Sequence, residues 1–268
     1  MTKKQCAFCG VTAAMTKEHI LRNKFNKTFD GKVGPKVLTV SHRGEDGQTE
    51  RDIESRGLPY GSTVKVVCAD CNNGWMNDLE NEVESDLLRL IGGQYLEFTP
   101  EQRNTLARWT TKTALMRQFQ NDPSVQLQPH SPVFQAAMSG HPTGSWTYAA
   151  PIYWTEHPWM RSVRIRTVAT TAGGSDLDML LTTIQVRRLL LQSVVSLDDV
   201  TAQYVDATLA PLTFPRFARV HPTGDPIDWA RTPVLNAQEF FSASEKFAQV
   251  LMDDMDSPLK PFFDSDMR

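Results

Sequence analysis

Cysteine is scarce in this chain and unevenly spent. The 268 residues hold only four, and all of them fall in two Cys-x-x-Cys pairs, Cys6-Ala7-Phe8-Cys9 and Cys68-Ala69-Asp70-Cys71. None is left elsewhere to fill a core or to act as a lone nucleophile. Long apolar runs are missing as well: no stretch approaches the roughly 20 residues of a membrane span, and no apolar segment follows the Lys3-Lys4 start. Export and membrane insertion are therefore not expected, and a reduced, cytoplasmic setting suits free thiolates. Nor is there a net positive charge. With 28 Lys and Arg against 31 Asp and Glu the balance is −3, which excludes a protein coated in basic surface. What is present is an ordinary globular composition, 40% hydrophobic, with enough chain for a real core and two structural units.

The two cysteine pairs fit a closed tetrahedral zinc site of four thiolates, Cys6, Cys9, Cys68 and Cys71. Four protein ligands leave no open position for an activated water, so this zinc is structural. It ties two knuckles across a long insert and supplies folding energy to a small, polar N-terminal unit.

Between the knuckles lies Thr16-Lys17-Glu18-His19-Ile20, and Asn72 follows directly on the last cysteine in Cys71-Asn72-Asn73-Gly74-Trp75-Met76, a run that continues to Glu80. In that order the chain resembles the HNH endonucleases of the ββα-metal superfamily, and among them the recombination endonuclease VII arrangement. Residues 6 to about 80 carry the resemblance. It implies His19 as general base, Glu18 and Asn72 as ligands of a catalytic Mg2+ or Mn2+, and the four cysteines as ligands of structural Zn2+. Two positions depart from the family pattern: Arg22 stands where many members have Pro, and Thr63 where a middle Asn is expected. The residue types also suit the chemistry. A neutral imidazole with a pKa of about 6.5 takes a proton from water at physiological pH, and carboxylate and amide oxygens are preferred by a hard divalent ion. On a regular strand Glu18 and His19 would point to opposite faces, so both reach one phosphate only where the strand ends or bends.

Charge is distributed to the same end. Residues 1–36 hold eight Lys and Arg against Glu18 and Asp30, and Arg22, Lys24, Lys27 and Lys32 are the expected phosphate contacts of a nucleic-acid partner, DNA ahead of RNA. His42 competes with His19 as a base without an accompanying acid or knuckle.

The rest of the chain reads more plainly. Val37–Val40, a Gly44–Gly47 turn and Val64–Val67 suggest the two-stranded part of the zinc unit. Trp75, Leu79, Val83 and Leu87 mark a helix that Gly92-Gly93 stops, with Asn72 and Asn73 at its N-terminus as candidate caps. Pro100 to about Phe119 predicts a second helix with Leu106, Trp109, Ala114 and Leu115 buried and Arg103, Arg108, Lys112 and Arg117 exposed. Pro129, Pro132 and Pro142 mark a loop-rich junction. Beyond it Val163, Ile165 and Thr167 alternate with arginines, and Thr183–Val186 followed by Leu189–Leu191 predicts buried antiparallel strands, with a helix as the competing reading. His130, His141, His157 and His221 sit near prolines and read as loop histidines. A capping box at Asn236–Glu239 opens a last helix, and an acidic tail follows.

The expected architecture is α+β: an N-terminal ββα-metal zinc-knuckle unit over residues 1–97, a connecting basic helix over 98–125, and a strand-rich α+β C-terminal domain over 126–268. The expected function is metal-dependent hydrolysis of phosphodiester bonds. Two other readings compete with it: a zinc-dependent module that grips nucleic acid without cutting it, and a nuclease effector restrained by its C-terminal domain through a regulatory protein or ligand. A homodimer is compatible with the sequence and not specified by it.

Overall fold

A computed structural model describes residues 4–29, 60–94, 96–121, 123, 126–140, 144–153, 155, 158–167, 176–210, 216–222 and 232–236. The expected strand at 37–40, the Gly44–Gly47 turn, Lys32, His42, His141, His157 and the helix after Asn236 lie outside those residues.

The N-terminal unit opens with a tiny antiparallel pair, β1 (Lys4–Gln5) and β2 (Thr12–Ala13), on either side of the first knuckle. Strand β3 (Met15–His19) follows, then a short helix α1 (Lys24–Thr28). Strand β4 (Thr63–Cys68) runs antiparallel to β3, pairing Met15 with Cys68 and His19 with Thr63. So the strand that leads into the second knuckle is the one expected, and its partner among the described residues is the Glu-His segment. The chain then turns helical at once. α2 (Ala69–Cys71) passes through a widened turn at Asn72–Met76 into α3 (Asn77–Ile91). Gly92-Gly93 ends α3 as the sequence predicts, with Gly93 at φ +79°. Helical structure begins earlier than expected, at Ala69, and is kinked at Gly74 before α3, so Asn72 lies ahead of the kink and its side chain does not cap α3.

Helix α4 (Pro100–Arg117) starts on a full capping box: the Thr99 hydroxyl accepts from the Gln102 backbone, the Gln102 side chain accepts from the Thr99 backbone, and Pro100 occupies the first turn. Its basic side chains contradict the sequence reading. Arg103, Lys112 and Arg117 are buried and not exposed, because α4 is the central helix of the molecule, covered on nearly every side. α3 packs on one flank. A five-stranded antiparallel sheet covers another. Thr110, Thr111 and Thr113 are buried in it too, and the Thr110 hydroxyl donates to the Leu106 carbonyl within the same helix at 2.8 Å.

A short helix α5 (Pro132–Ser139) occupies what the prolines suggested was loop; Pro132 is in its first turn, where a missing N–H costs nothing. The sheet is built from β5 (Ser145–Pro151), β6 (Trp159–Thr167), β7 (Leu177–Val186), β8 (Leu189–Ser196) and β9 (Ala218–His221), in the order β6-β7-β8-β5-β9, with α6 (Asp199–Leu209) between β8 and β9. β7 and β8 form a hairpin turned at Arg187, at φ +51°, which decides the strand-or-helix alternative for this segment. Their near-continuous apolar runs reflect burial on both faces. Leu180, Ile184 and Val186 of β7 face the α4 side, while Leu177, Met179 and Leu181 pack with Val205 and Leu209 of α6. On the edge strand β6 the alternation is weaker than expected, since Val163 is exposed and Ile165 is buried.

Packing is shared across residues 97 and 125. One apolar cluster joins Leu21, Phe25 and Leu87 to Trp109 of α4 and Leu191 of β8; a second joins Phe8, Ile20 and the cysteines to Leu115, Phe134 and Val195.

Candidate metal centre and active site

Four sulfurs define the metal centre. The Sγ atoms of Cys6, Cys9, Cys68 and Cys71 all lie within 4.8 Å of one another, and all four cysteines are free thiols. The Cys9–Cys68 sulfur separation is 3.6 Å, close to the about 3.8 Å edge of a tetrahedron with Zn–S bonds of about 2.3 Å. The backbone builds this before any metal is considered. Cys6 N–H donates to Val11 O and Gly10 N–H to Cys6 O, closing the knuckle, and Gly10 adopts φ +75°. Burial pushes the Cys6 thiol up, but the backbone N–H groups of Cys68, Cys9 and Phe8 outweigh it and bring it down to about 7, the direction a thiolate ligand needs. Burial and the neighbouring sulfurs push Cys71 up; a bound cation reverses that penalty.

The knuckle is also gripped from outside. Phe8 meets Trp75 and Phe134 edge-on at 5.1 Å each. His130, expected to be a loop histidine, is half-buried against it: its backbone N–H donates to Ala7 O at 2.7 Å, and its Nδ1 lies 3.1 Å from Phe8 O. A Cβ on Gly10 would come within 2.6 Å of that ring. Proximity in space, not any sequence pattern, makes His130 part of the metal centre's support.

The second constellation forms at the end of β3. Its register slips between Thr16 and Glu18, so Lys17 is bulged, and the strand stops at His19. A bulge re-aims the side chains that follow it. Glu18 and His19 both sense the same two groups, Glu80 of α3 and Lys112 of α4. Glu18 is buried, and its Oε1 accepts from Lys112 Nζ at 3.3 Å; Glu80 Oε1 accepts from the same ammonium at 2.8 Å. Burial raises the Glu18 carboxyl above its usual range, Lys112 works against this and Glu80 adds to it. Lys112 is raised despite complete burial, because both carboxylates hold its proton. The half-buried His19 is lowered, first by desolvation; Lys112 acts in the same direction and Glu80 in the opposite one. At neutral pH it is therefore an uncharged base.

Asn72 meets β3 from the helical segment, just before Glu18. Its Nδ2 donates to Thr16 Oγ1 at 2.9 Å and to Lys17 O at 3.3 Å, pinning the bulge. With the NH2 group so held, its Oδ1 takes no hydrogen bond among the described residues. Thr63 sits directly across the strand pair from His19, and no hydrogen bond joins the two side chains.

The donor types here are a carboxylate, Glu18, whose Oε1 already accepts from Lys112, and the amide oxygen of Asn72. Mg2+ is characteristically held by one or two carboxylates together with substrate oxygens, and Glu18 with the Asn72 amide oxygen supplies such a start. Among the described residues no second group of three His, Cys, Asp or Glu ligands exists, so they form no complete cage.

The basic residues are placed less favourably for phosphate. Arg22 donates to the Glu80 carbonyl at 2.8 Å, to Asn81 Oδ1 at 2.6 Å and to the Glu84 carboxylate, which also pairs with Lys24. It straps the end of β3 to α3. Lys24 and Lys27 are exposed. On α4, the buried Arg103, Lys112 and Arg117 cannot extend a phosphate track, and Lys112 enters the site instead, a role the helical pattern concealed.

Comparison with protein-family models, with curated proteins and with solved structures finds no match for this chain.

Proposed function

We propose that the chain is a metal-dependent endonuclease of the HNH type that hydrolyses phosphodiester bonds, with DNA as substrate. The observation that carries this reading is the bulged end of β3: Asn72 hydrogen-bonds Thr16 and Lys17 there, Glu18 and His19 follow directly with Glu80 and Lys112 as shared neighbours, and Met15 at the other end of β3 pairs with Cys68 of the four-thiolate metal centre.

In this reading an imidazole nitrogen of His19 takes a proton from a water as that water's oxygen attacks phosphorus, and the bond from phosphorus to the 3′ oxygen breaks. Glu18 and Asn72 would hold a divalent ion, which would supply charge stabilisation to the phosphate and the leaving oxygen. Asn72 fixes the bulge, and the bulge sets the direction of His19. The zinc fixes both knuckles, which keeps β4 and the Asn72 helix in register with β3.

Incubation of the purified protein with supercoiled plasmid and Mg2+ or Mn2+, with EDTA and His19→Ala controls, tests the proposal. The wild type is expected to convert the plasmid, and His19→Ala to lower the rate by roughly 10²- to 10⁴-fold while zinc content stays unchanged. Equal rates would refute the role of His19. A second reading, nucleic-acid binding without cleavage, draws on the engagement of Glu18 by Lys112; it predicts a mobility shift of the plasmid with no conversion.

A further inference from the structure

A cleft of about 270 Å3 opens where β1, β3 and β4 meet the chain that follows α4. Lys4 and Lys65 line it, and among the described residues no Asp or Glu does. Both lysines are exposed and neither meets an acceptor among the described residues, in contrast to Arg22 and Lys24, which Glu84 ties to α3. The irregular register of the strand pair presents Lys65 there. Lys65 and Val66 of β4 together stand against Lys17 alone, so these two consecutive side chains both reach the cleft. Much of the wall is apolar. Phe119 supplies a ring stacked on Phe134 at 5.6 Å and 27°, and Gln126 is fixed beside it, its Nε2 donating to Phe119 O at 3.2 Å and to Asn121 O at 2.7 Å. With both N–H groups of that amide engaged, Gln126 Oε1 is an acceptor without a partner among the described residues.

Two unpaired cations, an aromatic wall and a fixed acceptor answer the three parts of one unpaired nucleotide: its phosphates, the face of its base, and the N–H groups of a base edge that no complementary strand occupies. The size agrees, since about 270 Å3 is at the lower end of clefts that take small ligands, roughly 300–1,000 Å3, with room for one nucleotide and not for a duplex. We propose that this cleft binds an unpaired nucleotide of a nucleic-acid strand, with the flanking phosphates on Lys4 and Lys65 and the base against Phe119. This rests on the reading that nucleic acid is the protein's partner. The cleft is also joined to the proposed active site. Of Thr63, Val64 and Lys65 only Val64 is buried, so Lys65 leaves β4 on the side of Thr63, which stands opposite His19. Met15 lines the cleft and His19 ends the same strand; at about 3.3 Å per residue they are roughly 13 Å apart, which is about four nucleotides of a strand rising about 3.4 Å each.

Fluorescence anisotropy of a labelled mixed-sequence single strand, and of the blunt duplex of the same sequence, tests the proposal on the full-length, zinc-loaded protein without added Mg2+ or Mn2+. Replacing both lysines, Lys4→Gln with Lys65→Gln, should make the slope of log K against log salt for the single strand shallower by about 1.4, a loss of roughly 25-fold at about 0.1 M salt. Lys4→Arg with Lys65→Arg should keep both values near wild type, and so should Arg166→Gln with Arg188→Gln, which removes the same charge elsewhere. Phe119→Leu should weaken the single strand about fivefold or more with no change of slope and leave the duplex unaffected. A strand of abasic sites should bind the wild type at least about fivefold more weakly than the strand with bases. Wild-type slope and affinity in the Lys4→Gln, Lys65→Gln variant overturns the proposal, and so does a single strand that binds Phe119→Leu as tightly as wild type. If Phe119→Leu fails to fold, equal binding of the abasic strand overturns it instead. A wild type that binds no nucleic acid overturns both this proposal and the proposed function. Plasmid cleavage by the wild type together with unchanged binding by the cleft variants removes the cleft alone, whereas weakened binding by those variants without cleavage in Mg2+ or Mn2+ supports the cleft and removes the nuclease.

Discussion

Replacing Cys68 by serine should do more than empty a metal site, because Cys68 is where four features of the N-terminal unit meet. It ends β4, pairs with Met15 of β3, caps α2, and donates its backbone N–H to Cys6 Sγ at 3.4 Å. Without the thiolate the zinc loses one of four ligands and the two knuckles lose their link. The apolar side chains whose burial depends on that link are Phe8, Ile20, Val67 and Met76, each at most 1% exposed. At about 1.5–3 kcal/mol for each fully buried side chain, their exposure costs roughly 6–12 kcal/mol. That rivals the about 5–15 kcal/mol of net stability expected of a whole domain, so the zinc-free unit should lose its order and not merely soften. The cost should stop at the sheet. Trp146, Met179, Val194 and Val205 form a cluster that contains no residue of the zinc unit, and the far face of the sheet with α6 should persist. Metal analysis and hydrogen exchange of Cys68→Ser check this together: zinc near zero, protection lost over residues 5–20 and 63–76, and protection retained over 177–196. A zinc-free variant with wild-type protection in the first two segments would refute the reasoning.

Two further expectations concern the β3 end. Because burial lowers His19 below its ordinary value, the neutral base survives to lower pH, and the ascending limb of a single-turnover pH–rate profile should fall below about 6.5; a limb at higher pH would sink the assignment. The same sign means that the neutral ring's contribution to stability is lost as pH falls through that lowered value. Asn72→Ala removes two hydrogen bonds from the bulge, one of them long and exposed, so a loss of about 1–2 kcal/mol in denaturant unfolding is expected, together with cleavage that extra Mn2+ restores only in part. Unchanged stability and unchanged metal dependence would leave Asn72 without either role.

What could be read from the sequence was local. Cysteine spacing is a covalent-scale signal, and it located all four sulfurs of the metal centre. Periodicity with clear stops gave α3 up to Gly92 and the body of α4, and the Arg187 hairpin falls between two apolar runs. The pairing of β4 with β3 was not legible because strand partners are chosen at long range: residues 15–19 offer no better local pattern than residues 37–40, and only the fold brings Thr63 opposite His19. Asn72 looked like a cap because its type and position suit one, but the helix begins earlier and its amide turns to the bulge. Pro132 signalled a break and instead began a helix, the two uses of proline being indistinguishable without the next turn's packing.

Helix α4 shows most clearly why tertiary context decides the site. By its residues it is a basic helix, and on a surface its one lysine and three arginines would extend their charged heads into water. The sheet prevents this. Leu106 and Trp109 are buried in a cluster with Ala149 and Leu191, and Leu115 and Met116 in another with Leu180 and Val195, so α4 is closed off on the sheet side as well as by α3. Lys112 is then fully buried, and among the described residues its ammonium meets the carboxylates of Glu18 and Glu80. This links the strand-rich part of the chain to the β3 end: by burying α4, the sheet keeps a cation beside Glu18 and His19 that the zinc unit itself does not supply.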